Sequence, residues 1–154
     1  MTDQKHRSPA SLAETGRTLP ISLLRAREAV MDQFRPMLSA HDITEQQWRV
    51  LRVLQEAGVT DASHLAQRAC ILAPSLTRML KALEARGLIT TGRDPQDRRR
   101  WIIDLTEAGK TFIAGITPQS RKIYDQIEER YGAERLSRLL DELEALQAAL
   151  PHGG

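Results

Sequence analysis

A single cysteine, Cys70, excludes an intramolecular disulfide, and with it the small secreted scaffold that such cross-links hold together. Aromatic residues are scarce, at 4% of 154. A core must therefore be assembled from Leu, Ile, Val and Ala, which favours helices. No run of about 18 apolar residues occurs, so no transmembrane helix and no membrane partner is expected. The N-terminus lacks the apolar centre of a signal peptide, and a cytoplasmic protein is the simplest expectation. The four histidines, His6, His41, His64 and His152, are scattered. With one thiol they make no metal-ligand spacing. Neither a Gly-rich phosphate loop nor a nucleophile elbow is present. No enzyme, metal site or cofactor is expected.

The net charge, +2, is also small, but it is unevenly spread. Residues 61–106 carry more Arg and Lys than Asp and Glu, whereas the reverse holds from Arg121 to the end. A basic middle and an acidic C-terminal part imply that only the middle faces phosphates.

Residues 1–18 are polar, mixed in charge and without periodicity, and are expected to form a disordered tail. From Leu19 the apolar positions Leu23, Leu24, Val30, Met31, Phe34, Met37 and Leu38 recur at helical spacing, with Pro36 expected to kink or end the helix locally. Thr44-Glu45-Gln46-Gln47 reads as a capping box opening a helix that Gly58 ends. Asp61 is placed to cap a short helix through Arg68. A brief turn at Cys70-Ile71-Leu72 leads to Pro74, suited to a first helical position. The helix that follows carries an inward stripe of Leu76, Met79, Leu80 and Leu83 and stops at Gly87. Thr106 is placed to cap a long helix, bent near Pro118. A final helix sets Leu136, Leu139, Leu143, Leu146 and Leu150 in alternating steps of three and four, a coiled-coil-like seam.

The segment Gly92-Arg93-Asp94-Pro95-Gln96-Asp97-Arg98-Arg99-Arg100-Trp101 lies between Leu88-Ile89-Thr90 and Trp101-Ile102-Ile103-Asp104-Leu105. Two β-prone runs around a Gly/Pro/Asp turn read as a hairpin. Guanidinium groups gathered at its tip are explained by a row of phosphates better than by packing. Following two helices joined by a tight turn, the hairpin becomes the wing of a winged helix-turn-helix. The expected fold is mainly α with a small β-hairpin wing. Helices from both termini would form a dimerisation region (19–43 and 107–150) around a DNA-binding lobe (44–106).

Double-stranded DNA is the expected partner. Ser75, Thr77, Arg78 and Lys81 form the outward face of the second helix, placed to enter a major groove. Arg78 is expected to present its fork to guanine, and Lys81 to meet phosphate or solvent. Arg98, Arg99 and Arg100 are expected to alternate along a strand, so that at least one points into a minor groove. Asp97 is expected to pair with Arg93 or Arg99 and fix the wing. Cys70, between Ala69 and Ile71, reads as a buried small hydrophobe rather than a redox sensor.

The capping-box helix, the Pro74-Ser75-Leu76-Thr77-Arg78 helix start, and Asp97-x-Arg99 followed by Leu105-Thr106-Glu107-Ala108-Gly109 resemble the MarR family of bacterial regulators. The resemblance spans Leu19 to about Leu150. The strings Leu24-Arg25-Ala26-Arg27-Glu28-Ala29, Thr44-Glu45-Gln46-Gln47-Trp48-Arg49 and Arg68-Ala69-Cys70-Ile71-Leu72 are similar to a branch of that family. That branch represses genes for degrading homoprotocatechuate (4-hydroxyphenylacetate). The resemblance implies a homodimer on a palindromic operator, released by a small aromatic acid. It gives Asp97 and Arg99 wing roles, and Ser75, Thr77 and Arg78 recognition-helix roles. Nothing transfers to residues 1–18.

For the effector, Arg27 shares a helical stripe with Leu23, Leu24, Val30 and Met31, so it is expected to be buried and to need an anionic partner. That partner is either a protein carboxylate (Glu28 or Asp32) or the carboxylate of an aromatic effector, with Trp48 and His41 lining the cavity. Arg25, Arg35 and Arg49 are less well placed.

Overall fold

The computed structural model describes residues 17–151, so the expected tail lies, for residues 1–16, outside the described residues. Six helices and three short strands follow in the order α1 (Leu19–Ala40), α2 (Glu45–Ala57), β1 (Thr60–Asp61), α3 (Ala62–Ala69), α4 (Ala73–Ala85), β2 (Ile89–Arg93), β3 (Trp101–Leu105), α5 (Glu107–Tyr131) and α6 (Ala133–Ala149).

Local chemistry sets most of these boundaries. The Thr44 hydroxyl accepts from the Gln47 N–H while the Gln47 side chain accepts from the Thr44 N–H, a reciprocal box that satisfies two orphan donors of α2. Asp61 caps α3 by accepting from the His64 N–H at 2.8 Å. Gly58 ends α2 at φ 70°, a conformation a side chain would strain. Neither internal proline interrupts its helix: α1 runs through Pro36 to Ala40, and α5 runs through Pro118. Leu72 is the N-cap of α4, which begins at Ala73, so Pro74 takes the second helical position.

The sheet is antiparallel in the order β1-β3-β2, with β3 in the middle. β2 and β3 form the expected hairpin, in register from Ile89 opposite Leu105 to Arg93 opposite Trp101. β1 adds two residues, Thr60 opposite Ile103 and Asp61 opposite Ile102. A two-residue strand has no alternation to read, and the sequence gives no sign of it.

The core lies between α2, α3, α4, the sheet and the first half of α5. Val50, Leu51, Leu54, Leu65, Leu83, Ile89, Ile103, Ile113 and Ile116 are its fully enclosed large side chains. Of the expected α4 stripe, Leu76 and Leu83 are buried, whereas Met79 and Leu80 are half-buried. α1 contributes only its C-terminal end, Phe34, Met37 and Leu38, and α6 buries nothing completely. Leu23, Leu24, Val30, Tyr124, Leu139, Leu140 and Leu150 stay exposed.

One joint ties the wing to the long helix. Thr106 donates its hydroxyl to the Gly87 carbonyl at 2.6 Å and its N–H to the Leu88 carbonyl at 3.1 Å. The same hydroxyl accepts from the Gly109 N–H at 3.0 Å. A methyl group at Gly109 would stand 2.1 Å from the Leu88 carbonyl oxygen, so only glycine fits there. No helix among the described residues is long and apolar enough to cross a membrane.

Candidate nucleic-acid interface and effector cleft

α3 and α4 are held by Leu65, Ala69, Leu76 and Leu83, all buried against α2 and β3. This packing turns the opposite face of α4 outward. Thr77, Arg78 and Lys81 are exposed there, and Ser75 is half-buried. Thr77 donates its hydroxyl back to the Ala73 carbonyl at 3.2 Å. Among the described residues no ion pair or side-chain hydrogen bond engages Arg78 or Lys81, so both present unspent charge. Trp101 is 48% exposed, and with Thr77, Lys81 and Leu80 it lines a hollow of about 310 Å³ between α4 and the wing.

The wing differs from its expected form in a way that sorts its arginines. β3 begins at Trp101, and Arg98, Arg99 and Arg100 lie in the turn before it rather than alternating along a strand. Two aspartates shape that turn. Asp94 accepts from the Gln96 N–H at 2.9 Å, and Asp97 accepts from the Arg99 N–H at 3.1 Å. Such short side-chain-to-backbone bonds compete with strand pairing and favour a turn. Asp97 thus fixes the wing through the Arg99 backbone, not through the expected guanidinium of Arg93 or Arg99. Arg93 instead donates to the Arg98 carbonyl at 2.8 Å and stacks over the Trp101 ring at 5.2 Å.

Arg100 is also spoken for. Its Nη2 donates to Asp61 Oδ2 at 2.6 Å, and its Nη1 stands 3.8 Å from Asp94 Oδ2. The His64 N–H, then Arg100, hold the Asp61 carboxyl below its ordinary pKa. Asp61 in turn raises that of Arg100. Among the described residues, Arg98 and Arg99 carry no such bond from their guanidinium groups. Of the cations expected to face DNA, those left unengaged among the described residues are therefore Arg78, Lys81, Arg98 and Arg99.

The effector residues fall apart as a set. Arg27 is exposed rather than buried, because only Met31 among its stripe mates packs against the core, while Leu23, Leu24 and Val30 stay exposed. It is ion-paired with Glu45, a partner outside the expected pair, and stands 3.5 Å from Glu28. Asp32 pairs with Arg35 instead, which also bonds Glu28 at 2.7 Å. The Glu28 and Asp32 carboxylates hold the Arg35 guanidinium pKa above its usual value. His41 is half-buried, its Nε2 3.0 Å from Gln119 Oε1 and its ring edge-on to Phe112. Trp48 is half-buried against the core.

An open cleft of about 580 Å³ forms where α1 ends and α2 begins, lined by Arg35, Leu38, Asp42, Glu45, Gln47 and Arg86 among others. Arg27, His41 and Trp48 are not among its lining residues. Arg86 donates to the Asp42 carbonyl at 2.5 Å and lies over Phe112. Arg49, less well placed on sequence alone, has a buried Nε without a hydrogen-bond partner. Burial, and then the charge of Arg27, push its pKa down. Its spacing four residues after Glu45, on the face turned toward α1, is the signal that could have found it.

Cys70 is exposed, not buried. It ends α3 in the left-handed conformation, φ 54° and ψ 52°, while Ala69 takes the core position. No group of three His, Cys, Asp or Glu among the described residues is placed to hold a metal ion.

Residues 43–101 match the MarR family. The chain is 43% identical over 136 residues to the HTH-type transcriptional regulator FarR of Neisseria gonorrhoeae, covering 86% of this chain and 93% of that one. It is 42% identical over 127 residues to the homoprotocatechuate degradative operon repressor of Escherichia coli, covering 82% and 86%. Its fold superposes on the crystal structure of NadR in complex with 4-hydroxyphenylacetate at a TM-score of 0.75 and 41% identity, covering 95% of this chain and 96% of that one. That family consists of transcription regulators, not enzymes, and α3, α4 and the β2–β3 hairpin are its winged helix-turn-helix. The chain belongs to the MarR family of transcriptional regulators.

Proposed function

We propose that this chain represses an operon for breakdown of an aromatic acid, acting as a homodimer on a palindromic operator and released by a small phenolic acid such as 4-hydroxyphenylacetate. The observation that carries the reading is the shared likeness, above 40% over most of the chain, to a homoprotocatechuate operon repressor and to a regulator crystallised with 4-hydroxyphenylacetate. Such a regulator works on the chromosome, in the cytoplasm.

Homodimerisation is supported by the apolar side chains that α1, α5 and α6 leave uncovered, since soluble monomers rarely expose contiguous apolar surface. Two copies present two copies of α4, matching half-sites about one helical turn apart. Ser75, Thr77, Arg78 and Lys81 then meet the major groove, and Arg98 and Arg99 the adjacent minor groove.

For the effector, Glu45 is ion-paired with Arg27, whose charge helps lower the pKa of Arg49, and no ion pair among the described residues engages Arg49. One cation is left over beside the half-buried Trp48 ring. A carboxylate would balance that charge, and an aromatic ring would lie on apolar surface, the usual mix in a small-molecule pocket. His41, already bonded to Gln119, contributes shape rather than a free donor. To release DNA the acid must favour a dimer geometry that no longer fits the operator.

Calorimetry with 4-hydroxyphenylacetate on wild type, Arg27→Ala and Arg49→Ala, with and without operator, tests this. Binding should fall in both variants, and operator should weaken it by the factor by which the acid weakens operator binding. Undiminished binding to both variants would put the acid elsewhere. Binding indifferent to operator would leave it without a regulatory role.

A further inference from the structure

We propose that Arg100 is a positioning residue rather than a DNA ligand: by clamping onto Asp61 it sets where the wing stands relative to α3 and α4. The inference rests on the DNA-binding role of the lobe and says how its two contact elements are held in step.

Asp61 does two jobs with one carboxylate. Its Oδ1 caps α3 through the His64 N–H at 2.8 Å, and its Oδ2 takes the Arg100 guanidinium at 2.6 Å. The second Arg100 nitrogen faces Asp94, inside the wing turn, at 3.8 Å. A planar fork thus bridges a carboxylate on β1, outside the hairpin, and one within the hairpin tip. Lysine, a point charge, would reproduce this poorly.

The backbone leaves this connection much to do. β1 pairs with β3 through only Thr60–Ile103 and Asp61–Ile102. Asp61 is the last residue of that ladder, opposite Ile102, and the ion pair continues its grip two residues further toward the tip, past Trp101 to Arg100. Because α3 packs on α4, a wing held to the start of α3 keeps a fixed offset from the recognition helix.

Arg100 is 53% exposed at its side chain, so phosphate could reach it. Doing so would break a charge-assisted hydrogen bond already made. Arg98 and Arg99, on the same turn, face no such loss. The wing therefore divides its arginines between holding and reaching.

Opposite signs separate the clamp from a plain charge effect. Asp61→Asn removes a negative charge from a DNA-facing surface and by electrostatics alone should strengthen binding. Asparagine caps helices as well as aspartate does, so α3 stays intact. The clamp requires that Asp61→Asn and Arg100→Gln each weaken binding, by about three- to tenfold, to a duplex selected by the wild-type protein from a randomised pool. The double variant should be no weaker than the weaker single, since both break one bond. Hydrogen exchange of the free protein should show amides of residues 94–101 opening faster in Asp61→Asn.

Tighter binding by Asp61→Asn with weaker binding by Arg100→Gln would make Arg100 a phosphate ligand that Asp61 merely restrains. Additive losses would also overturn the clamp, as would unchanged wing exchange. If the wild type selects no duplex, the DNA-binding role itself fails, and the exchange measurement on the free protein still decides whether this pair holds the wing.

Discussion

The lobe spanning residues 44–106 and the helices contributed by the two ends of the chain obey different rules. In the lobe, helices of 8 to 13 residues enclose Val50, Leu51, Leu54, Leu65 and Leu83 almost completely, and Thr44 and Asp61 cap α2 and α3. α1, α5 and α6 are longer, yet α6 encloses nothing and the first half of α1 lies open. One region is finished by its own sequence. The other leaves its leucines uncovered among the described residues, the surface that the proposed second copy would take. The same contrast recurs within the wing, where Arg100 is satisfied internally and Arg99 is not.

The contrast breaks most sharply at the open region. Leu139→Glu should split the dimer while leaving the lobe folded, with sedimentation showing a monomer and operator affinity falling by about 10² or more as the second half-site loses its tether. A stable dimer in that variant would move the interface off α6. Gly109→Ala strikes the closed region instead. Its new methyl meets the Leu88 carbonyl, so the variant should lose about 1–3 kcal/mol in denaturant unfolding. Unaltered stability would mean the joint has room the geometry denies it.

Arg78→Ala should cost about 1–3 kcal/mol on the operator and relax choice at one position per half-site. Equal losses on specific and random duplex would reassign it to phosphate. Arg99→Ala should make the slope of log K against log salt shallower by about one unit per wing. A smaller effect concerns acid. Asp61 has a depressed pKa in the folded protein, so its contribution is complete above the unfolded carboxylate value and drains away as pH falls through the lower folded one. Asp61→Asn should remove that part of the acid limb by lowering stability near neutral pH while changing it less at low pH, so that comparative unfolding at pH 7 and pH 3 shows a narrower gap than in the wild type.

The closed region was also the readable one. Thr44 with Gln47, Asp61 before α3 and Thr106 before α5 announce their helices because capping is local chemistry, complete within four residues. The leucines of α4 and the apolar flanks of the hairpin carry periods that sequence displays. What escaped depends on distant or missing neighbours. β1 is strand only because β3 passes beside it. Arg27 shares a stripe with apolar residues, but a stripe announces burial only where something covers it, and among the described residues this one is left open around Arg27. Cys70 sits among apolar neighbours, yet the turn after α3 needs a left-handed residue there and swings its side chain outward. The three consecutive arginines read as strand until Asp94 and Asp97 are seen to bend the backbone into a turn. Arg49 reads from sequence as less well placed than Arg27 because what singles it out, a buried Nε without a partner beside the charge of Arg27, appears only with the placement of α1 against α2.

The joint at Thr106 and Gly109 has a consequence for control. Two successive carbonyls leaving the recognition helix, Gly87 and Leu88, are both committed to Thr106, and the approach of α5 leaves no slack for even one carbon. The recognition helix cannot tilt within its lobe without dragging α5, which behaves as the arm of a crank. Under the proposed effector control, regulation would reduce to one coordinate, the angle between two rigid halves. Lesions that loosen this bearing should yield deaf repressors, proteins that still bind effector and operator but no longer let one dislodge the other.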